Sequence, residues 1–491
     1  MTREQLKSLT LVALFGLCTI LVSQIWSGIS FTQSGPGKEL LAAATVTEQL
    51  AEIIYPQSYV LSFGGGSHTA VYDDSHGLWQ AARPAVLNAF AGKYAEKPVT
   101  EAVWLEKRRF RSVLFELPAP VEPALMLQLA GRQEVYAGKV GVFDTLLLVL
   151  GEPESVYVGN RAAGQYYVLT GTGSPAGLEE GLRAAEAQDN AEYETVDDHY
   201  RVRTVPQAEG APAQPVNTVM VPRFEIGPRP ILRVQGELPE FTGTEEAQAT
   251  VRQLADAAFG NQFAFVNRLV DVNGAVVFLY GYGEKAFRIH PSGLLDYTEK
   301  PDPVLTGRKT DLQTALRLAV TFIGNVGGYP EGLYLADYRP TESKQGYRFR
   351  FSYPLEGLPV VSTAEATQGD VARGFDPIEI VVEGEQILFC QRRVGSVEGL
   401  IDVTPLWDRV LSLDEVIVKN YERILPVYMK LSGDTSADTT IQYRLLQSIR
   451  SVRLVYCQNT AGDRMTPAWE VDFNGARFLF NIYDGRLMAT R

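Results

Sequence analysis

Apolar positions along this chain fall into three rhythms. The first is an unbroken run: residues 9–29 are 21 consecutive residues without a charge. At about 1.5 Å per residue they make a helix roughly 30 Å long, enough to cross the hydrocarbon core of a bilayer. Arg3 and Lys7 precede the run, and no Lys or Arg follows until Lys38. Retained positive charge keeps the N-terminus inside and puts the bulk of the chain outside. Trp26 falls near the outer end, where an indole favours the headgroup boundary. The expectation is a cytoplasmic tail over 1–8, a transmembrane helix over 9–29 and a tether over 30–38. A cleaved signal peptide has a shorter apolar run and a small-x-small site, for which only Gly28-Ile29-Ser30 is passable. A lipoprotein signal needs a small residue before its cysteine, and Leu17 precedes Cys18. An amphipathic core helix would carry polar positions that this run lacks.

The second rhythm is helical. Leu40, Leu41, Ala44, Val46, Leu50 and Ile54 predict a helix over 39–54, ended by Pro56. Further helices are expected over 78–90, with a bend at Pro84, and over 175–190, 244–259, 311–323 and 412–424. Ser412 followed by Glu415 is a capping box for the last of these.

The third rhythm alternates and predicts strands. Strands over 59–63 and 69–72 flank a glycine-rich loop, 64–68. Others are expected over 109–117, 157–158 and 165–169, and the largely apolar run 141–150 is an interior strand or a short helix. In the last half a helix-then-meander order recurs. Helix 244–259 precedes strands at 263–272, 275–282 and 285–290; helix 412–424 precedes strands at 452–458, 467–473 and 477–483. Gly283 and Gly293 are spaced as Gly475 and Gly485 are, at turns that need φ > 0. A third such unit has helix 311–323 and strands at 332–338, 347–353, 378–382 and 386–393. The fold class is α+β: an N-terminal transmembrane helix, then antiparallel sheets each packed with helices. The expected divisions are an N-terminal extracytoplasmic domain over 39–205, a central domain over 206–300 and a C-terminal region over 301–491. The stretch 207–215, rich in Ala, Pro and Gln, reads as a linker.

Order and end segments together resemble the YycH family of single-pass membrane proteins. The residues that carry the likeness are the basic tail with Arg3 and Lys7 and the apolar helix ending Ile25-Trp26. With them go the strand 59–63 after Tyr55-Pro56 and the closing segments 466–471 (Thr-Pro-Ala-Trp-Glu-Val) and 480–487 (Phe-Asn-Ile-Tyr-Asp-Gly-Arg-Leu). The resemblance implies a three-domain α+β extracytoplasmic portion and no enzymatic activity. It implies regulation of a sensor histidine kinase of the WalK (YycG) type, which controls cell-wall metabolism. It also implies association with that kinase and with a YycI-like membrane protein, largely through transmembrane helices. The rival reading is an anchored envelope protein that binds or processes a cell-wall glycan, with the helix as a simple tether.

Composition narrows the chemistry. The chain is 45% hydrophobic, which suits packed domains, and its net charge of -13 disfavours nucleic acid and anionic lipid surfaces. Outside the apolar run stand only Cys390 and Cys457, alternating with Phe389 and Tyr456 as strand residues do; two buried thiols are expected rather than a disulfide scaffold. The sequence has no Gly-x-Ser-x-Gly elbow, no His-Glu-x-x-His and no Walker lysine. His68, Asp73, Asp74 and His76 could attract a divalent metal but match no metal-site spacing, and turns collect such residues anyway. The acidic pairs Glu179-Glu180 and Asp197-Asp198 are what 58 acids produce by chance. The run Lys107-Arg108-Arg109-Phe110-Arg111 could face an anionic polymer, but reads better as the charged edge of a strand. No catalytic residue, cofactor or metal is expected. In the membrane run Val12, Gly16, Thr19 and Ser23 form a stripe of small residues on which another helix can pack closely, with hydroxyls able to bond across.

Overall fold

The computed structural model describes residues 46–491 apart from 93–94, 153, 172–174, 189, 202–216, 225, 237–244, 273, 291–292, 364–371, 394, 402–408, 434–439 and 460–463. The expected tail, membrane helix and tether, and the linker 207–215, lie outside the described residues. Among the described residues no helix is long and apolar enough to cross a membrane.

The described residues build three sheets with helices against them. The first has nine strands: β1 (Ser58–Gly64), β2 (Ser67–Val71), β3 (Ala95–Val99), β4 (Ser112–Val121), β5 (Phe143–Val149), β6 (Ser155–Asn160), β7 (Gln165–Thr170), β8 (Tyr193–Thr195) and β9 (Met220–Pro222). Their spatial order is β3-β7-β6-β5-β4-β1-β2-β8-β9. The apolar run 141–150 is thus an interior strand, β5, which explains its lack of alternation. α1 (Val46–Glu52) falls within the first expected helix and ends at Glu52, two residues short of the expected end at Ile54. α2 (Leu78–Ala91) turns Leu78, Trp79, Ala82, Val86 and Phe90 inward at helical spacing, with Pro84 inside it. α3 (Glu101–Lys107), α4 (Pro123–Leu129), α5 (Leu178–Glu186) and α6 (Val196–Tyr200) complete this part.

The second sheet has eight strands: β11 (Asn267–Val270), β12 (Val276–Tyr280), β13 (Lys285–Ile289), β14 (Leu294–Glu299), β15 (Tyr334–Pro340), β16 (Gly346–Ser352), β20 (Ile378–Glu383) and β21 (Gln386–Arg393). β14 pairs with β21, so the two helix-plus-meander units share one sheet, whose strands come from both sides of position 300. Phe278, Phe287, Tyr297, Cys390, Ile380 and Phe349 are successive register partners and all are buried. That row forms a core with α7 (Glu245–Phe259) and α8 (Leu312–Asn325), which buries Ala315, Leu316, Ala319, Val320 and Ile323. The strand expected from 263 begins at Asn267. Before it Gly260–Phe265 is a 3-10 turn, entered through Gly260 at φ 55.

The third sheet gathers β10 (Ile231–Gly236), β17 (Pro354–Leu355), β18 (Leu358–Thr363), β19 (Ala372–Phe375), β22 (Gly395–Ile401), β23 (Ile449–Asn459), β24 (Arg464–Phe473), β25 (Ala476–Asn481) and β26 (Leu487–Thr490). β18 and β23 run parallel, as do β19 and β26. The capping box at Ser412 and Glu415 is present. The expected helix 412–424 breaks at Asn420 into α9 (Leu413–Lys419) and α10 (Tyr421–Ser432), and there the Asn420 amide donates to Val416 O and to Gly485 O. α11 (Ile441–Gln447) leads into β23. Cys390 and Cys457 are buried and unpaired in different sheets, and burial pushes both thiols up to about 12.

Candidate functional site

The residues singled out for chemistry are each taken up by local structure. His68 lies opposite Ser62 in the β1–β2 ladder, its Nδ1 2.8 Å from the Ser62 hydroxyl. Burial lowers its affinity for a proton, and Arg108 adds to this. Asp74 accepts from the backbone N–H of Trp79 (2.7 Å) and Gln80 (3.0 Å), capping α2. Asp73 accepts from Ser75 N, and His76 follows in the same turn. Among the described residues no three His, Cys, Asp or Glu side chains converge as a metal site.

The basic run 107–111 is not the charged edge of a strand. It is the end of α3 and the turn into β4, which lies inside the sheet. Lys107 pairs with Glu152, Arg108 donates to Thr218 O at 3.2 Å, and Arg111 reaches Glu186 at 2.7 Å and Glu179 at 3.4 Å. Glu179 also holds Arg183 at 2.9 Å, Glu180 lies beside it in the first turn of α5, and Asp198 bonds the Thr195 hydroxyl at 2.6 Å. Asp197 is buried in α6. The membrane stripe Val12, Gly16, Thr19 and Ser23 lies outside the described residues.

What the fold assembles instead is a set of polar junctions between its sheets. The largest brings all three together. On the second sheet Asp337, Arg350 and Glu379 are register partners, and Arg350 lies 3.1 Å from Asp337, 3.4 Å from Glu379 and 3.9 Å from Asp376. On the third sheet Arg453 stands opposite Glu470 across β23 and β24, bonds it, and also donates to Gln57 just before β1. Arg491 reaches Asp376 at 2.8 Å and joins the two sheets. Burial alone would raise the Glu470 carboxyl, but Arg453 and Arg477 outweigh it and hold it below its ordinary value. For Asp376 burial prevails and pushes the carboxyl up to about 6. The cleft lined by Asp376, Glu470, Arg477 and Arg491 holds little more than a water molecule.

A second junction is His199. Its Nδ1 lies 2.8 Å from Glu194 in β8 and its Nε2 lies 3.1 Å from Asp414 in α9. Asn217 ties the same pair of units through Gln447 O at 3.0 Å and Ile449 O at 2.8 Å. The first and second sheets are joined mainly by apolar packing: Leu50, Ile53 and Phe115 belong to one core with Leu316, Leu335 and Phe349, and Leu335 N donates to Ile53 O at 2.9 Å. These arrangements hold the three sheets to one another. Sequence reasoning missed them because their partners are far apart in the chain. The signal that was present is a charged residue inside an apolar strand, such as Arg453 or Glu470.

No protein-family profile matches the chain, and no curated protein matches it in sequence. Among solved structures it is similar to YycH from Bacillus subtilis, with a TM-score of 0.51 and 12% identity over 89% of this chain and 98% of that one. The C-terminal domain of YpeB from Bacillus megaterium overlaps at a TM-score of 0.24 and 11% identity, covering 51% of this chain and 97% of that one. The fold is YycH-like α+β, as the sequence resemblance implied.

Proposed function

We propose that this chain is a membrane-anchored, non-enzymatic regulator of a sensor histidine kinase of the WalK (YycG) type, working beside a YycI-like membrane protein. The observation that carries the reading is the extent of the shared fold: the likeness takes in 98% of the YycH chain. The apolar run 9–29 and the charges before it support a single-pass anchor at the cell membrane, with the N-terminus inside and the described body outside. In this reading the stripe Val12, Gly16, Thr19 and Ser23 packs against a kinase helix. Such a partner acts only through its difference in affinity for two kinase conformations; about 1–3 kcal/mol shifts the balance roughly 5- to 150-fold.

The test replaces Gly16 with Leu and measures association with the kinase in a membrane two-hybrid assay. Association is expected to fall, and an unchanged signal removes the stripe from the mechanism. Exchanging residues 9–29 for an unrelated transmembrane helix is expected to abolish regulation. Full activity with the exchanged helix would leave the anchor as a mere tether and sink the proposal.

A further inference from the structure

The ring of His199 is mostly buried, and a carboxylate oxygen faces each of its nitrogens, Glu194 at 2.8 Å and Asp414 at 3.1 Å. A neutral imidazole has one N–H and one lone pair, so in this geometry it would turn a lone pair toward a carboxylate. Only the doubly protonated ring donates to both. The two acids belong to different parts of the fold. Glu194 is in β8, which continues the first sheet through the His68–Tyr193 pairing, and Asp414 is in the first turn of α9 in the C-terminal unit.

We propose that His199 is a proton-operated latch that fastens the end of the first sheet to the C-terminal unit when the ring is charged and releases it when the ring is neutral. The surroundings agree. The bond to Asp414 raises the ring's affinity for its proton, burial works against this, and Glu194 adds to the rise. Tyr200 stands edge-on to the ring at 4.6 Å. On the latch's own helix Asp198 is turned to Thr195, and Asp197 is buried. α11 packs on α6 and brings Arg444, whose guanidinium donates to the Thr440 hydroxyl at 2.5 Å. A raised value means that the stabilisation is complete below the unfolded histidine's pKa, about 6.5, and is lost as pH rises through the folded value. The latch stands independently of the kinase reading and would give the outer body a response to pH.

The experiment uses the full chain in detergent micelles, with its four histidines 13C-labelled at Cε1 and the His199 signal assigned from H199Q. His199 is expected to titrate above about 6.5. Hydrogen-exchange protection of residues 193–200 and 411–419, corrected for intrinsic rates, is expected to fall as pH rises through that midpoint. The loss should be about tenfold for each pH unit by which the midpoint exceeds 6.5. Asp414→Asn keeps the shape, and should lower the midpoint and weaken protection even if H199Q folds poorly. A midpoint at or below 6.5, or the same pH-dependent loss in H199Q, overturns the proposal.

Discussion

Replacing Arg453 with Met tests whether the three-way junction is held as described. Glu470 is 4% exposed and lies on β24 beside the fully buried Trp469. Without the guanidinium its other cation is Arg477, 3.8 Å away, and Gln57 loses its link to the third sheet. Removing one partner of a buried ion pair costs about 3–5 kcal/mol, because the remaining charge stays desolvated. With a urea m value of about 3 kcal/mol/M, the unfolding midpoint should fall by about 1–1.7 M. Fluorescence of a variant that keeps Trp469 as its only one of the five tryptophans, and far-UV circular dichroism, read the transition locally and globally. The stranded carboxyl escapes its penalty by taking up a proton, so the loss should be largest near pH 8 and smaller at pH 5. The double variant Arg453→Met with Glu470→Leu replaces the pair by packed apolar groups and should recover most of the stability. A loss below about 1 kcal/mol in the single variant, or a double variant no more stable than the single, would refute the reasoning.

Three further outcomes follow from other sites. Arg392 is buried and donates to Ile323 O, Val326 O and Gly328 O at 2.7–3.0 Å, closing the end of α8; Arg392→Met should cost about 3 kcal/mol or more and speed amide exchange there. Asp376 is pushed up to about 6 by burial, so its contribution favours folding most below about pH 4 and is lost as pH rises through about 6. Unfolding midpoints taken between pH 4 and 7 should therefore fall less steeply for Asp376→Asn than for the natural chain, by about 3 kcal/mol across the range. A Cβ at Gly346 would lie 1.9 Å from Val382 O, so Gly346→Ala should prise β16 from β20 and lower stability by about 1–3 kcal/mol, measured by urea unfolding.

The sequence by itself determined the features whose signals are local. Helical spacing marked α2 and α8, and Ser412 with Glu415 marked the start of α9, because each depends on residues within a few positions. Gly283, Gly293, Gly475 and Gly485 all sit at positive φ in the turns where the recurring spacing put them. Asp74 and His68 were legible as candidate chemistry by residue type, but what they do depends on the backbone N–H groups and the hydroxyl that the fold puts beside them. Tertiary structure alone decided which strand pairs with which. Period-two alternation marks a strand and its buried face, yet ladder hydrogen bonds are chemically alike for any two strands, so it cannot name the neighbour. That is why β14 met β21 and β10 joined β22 and β24 without a sequence signal. The junctions follow the same logic: Arg453 and Gln57 are 396 positions apart, His199 and Asp414 are 215 apart, and only the packing of whole sheets brings each pair within bonding distance.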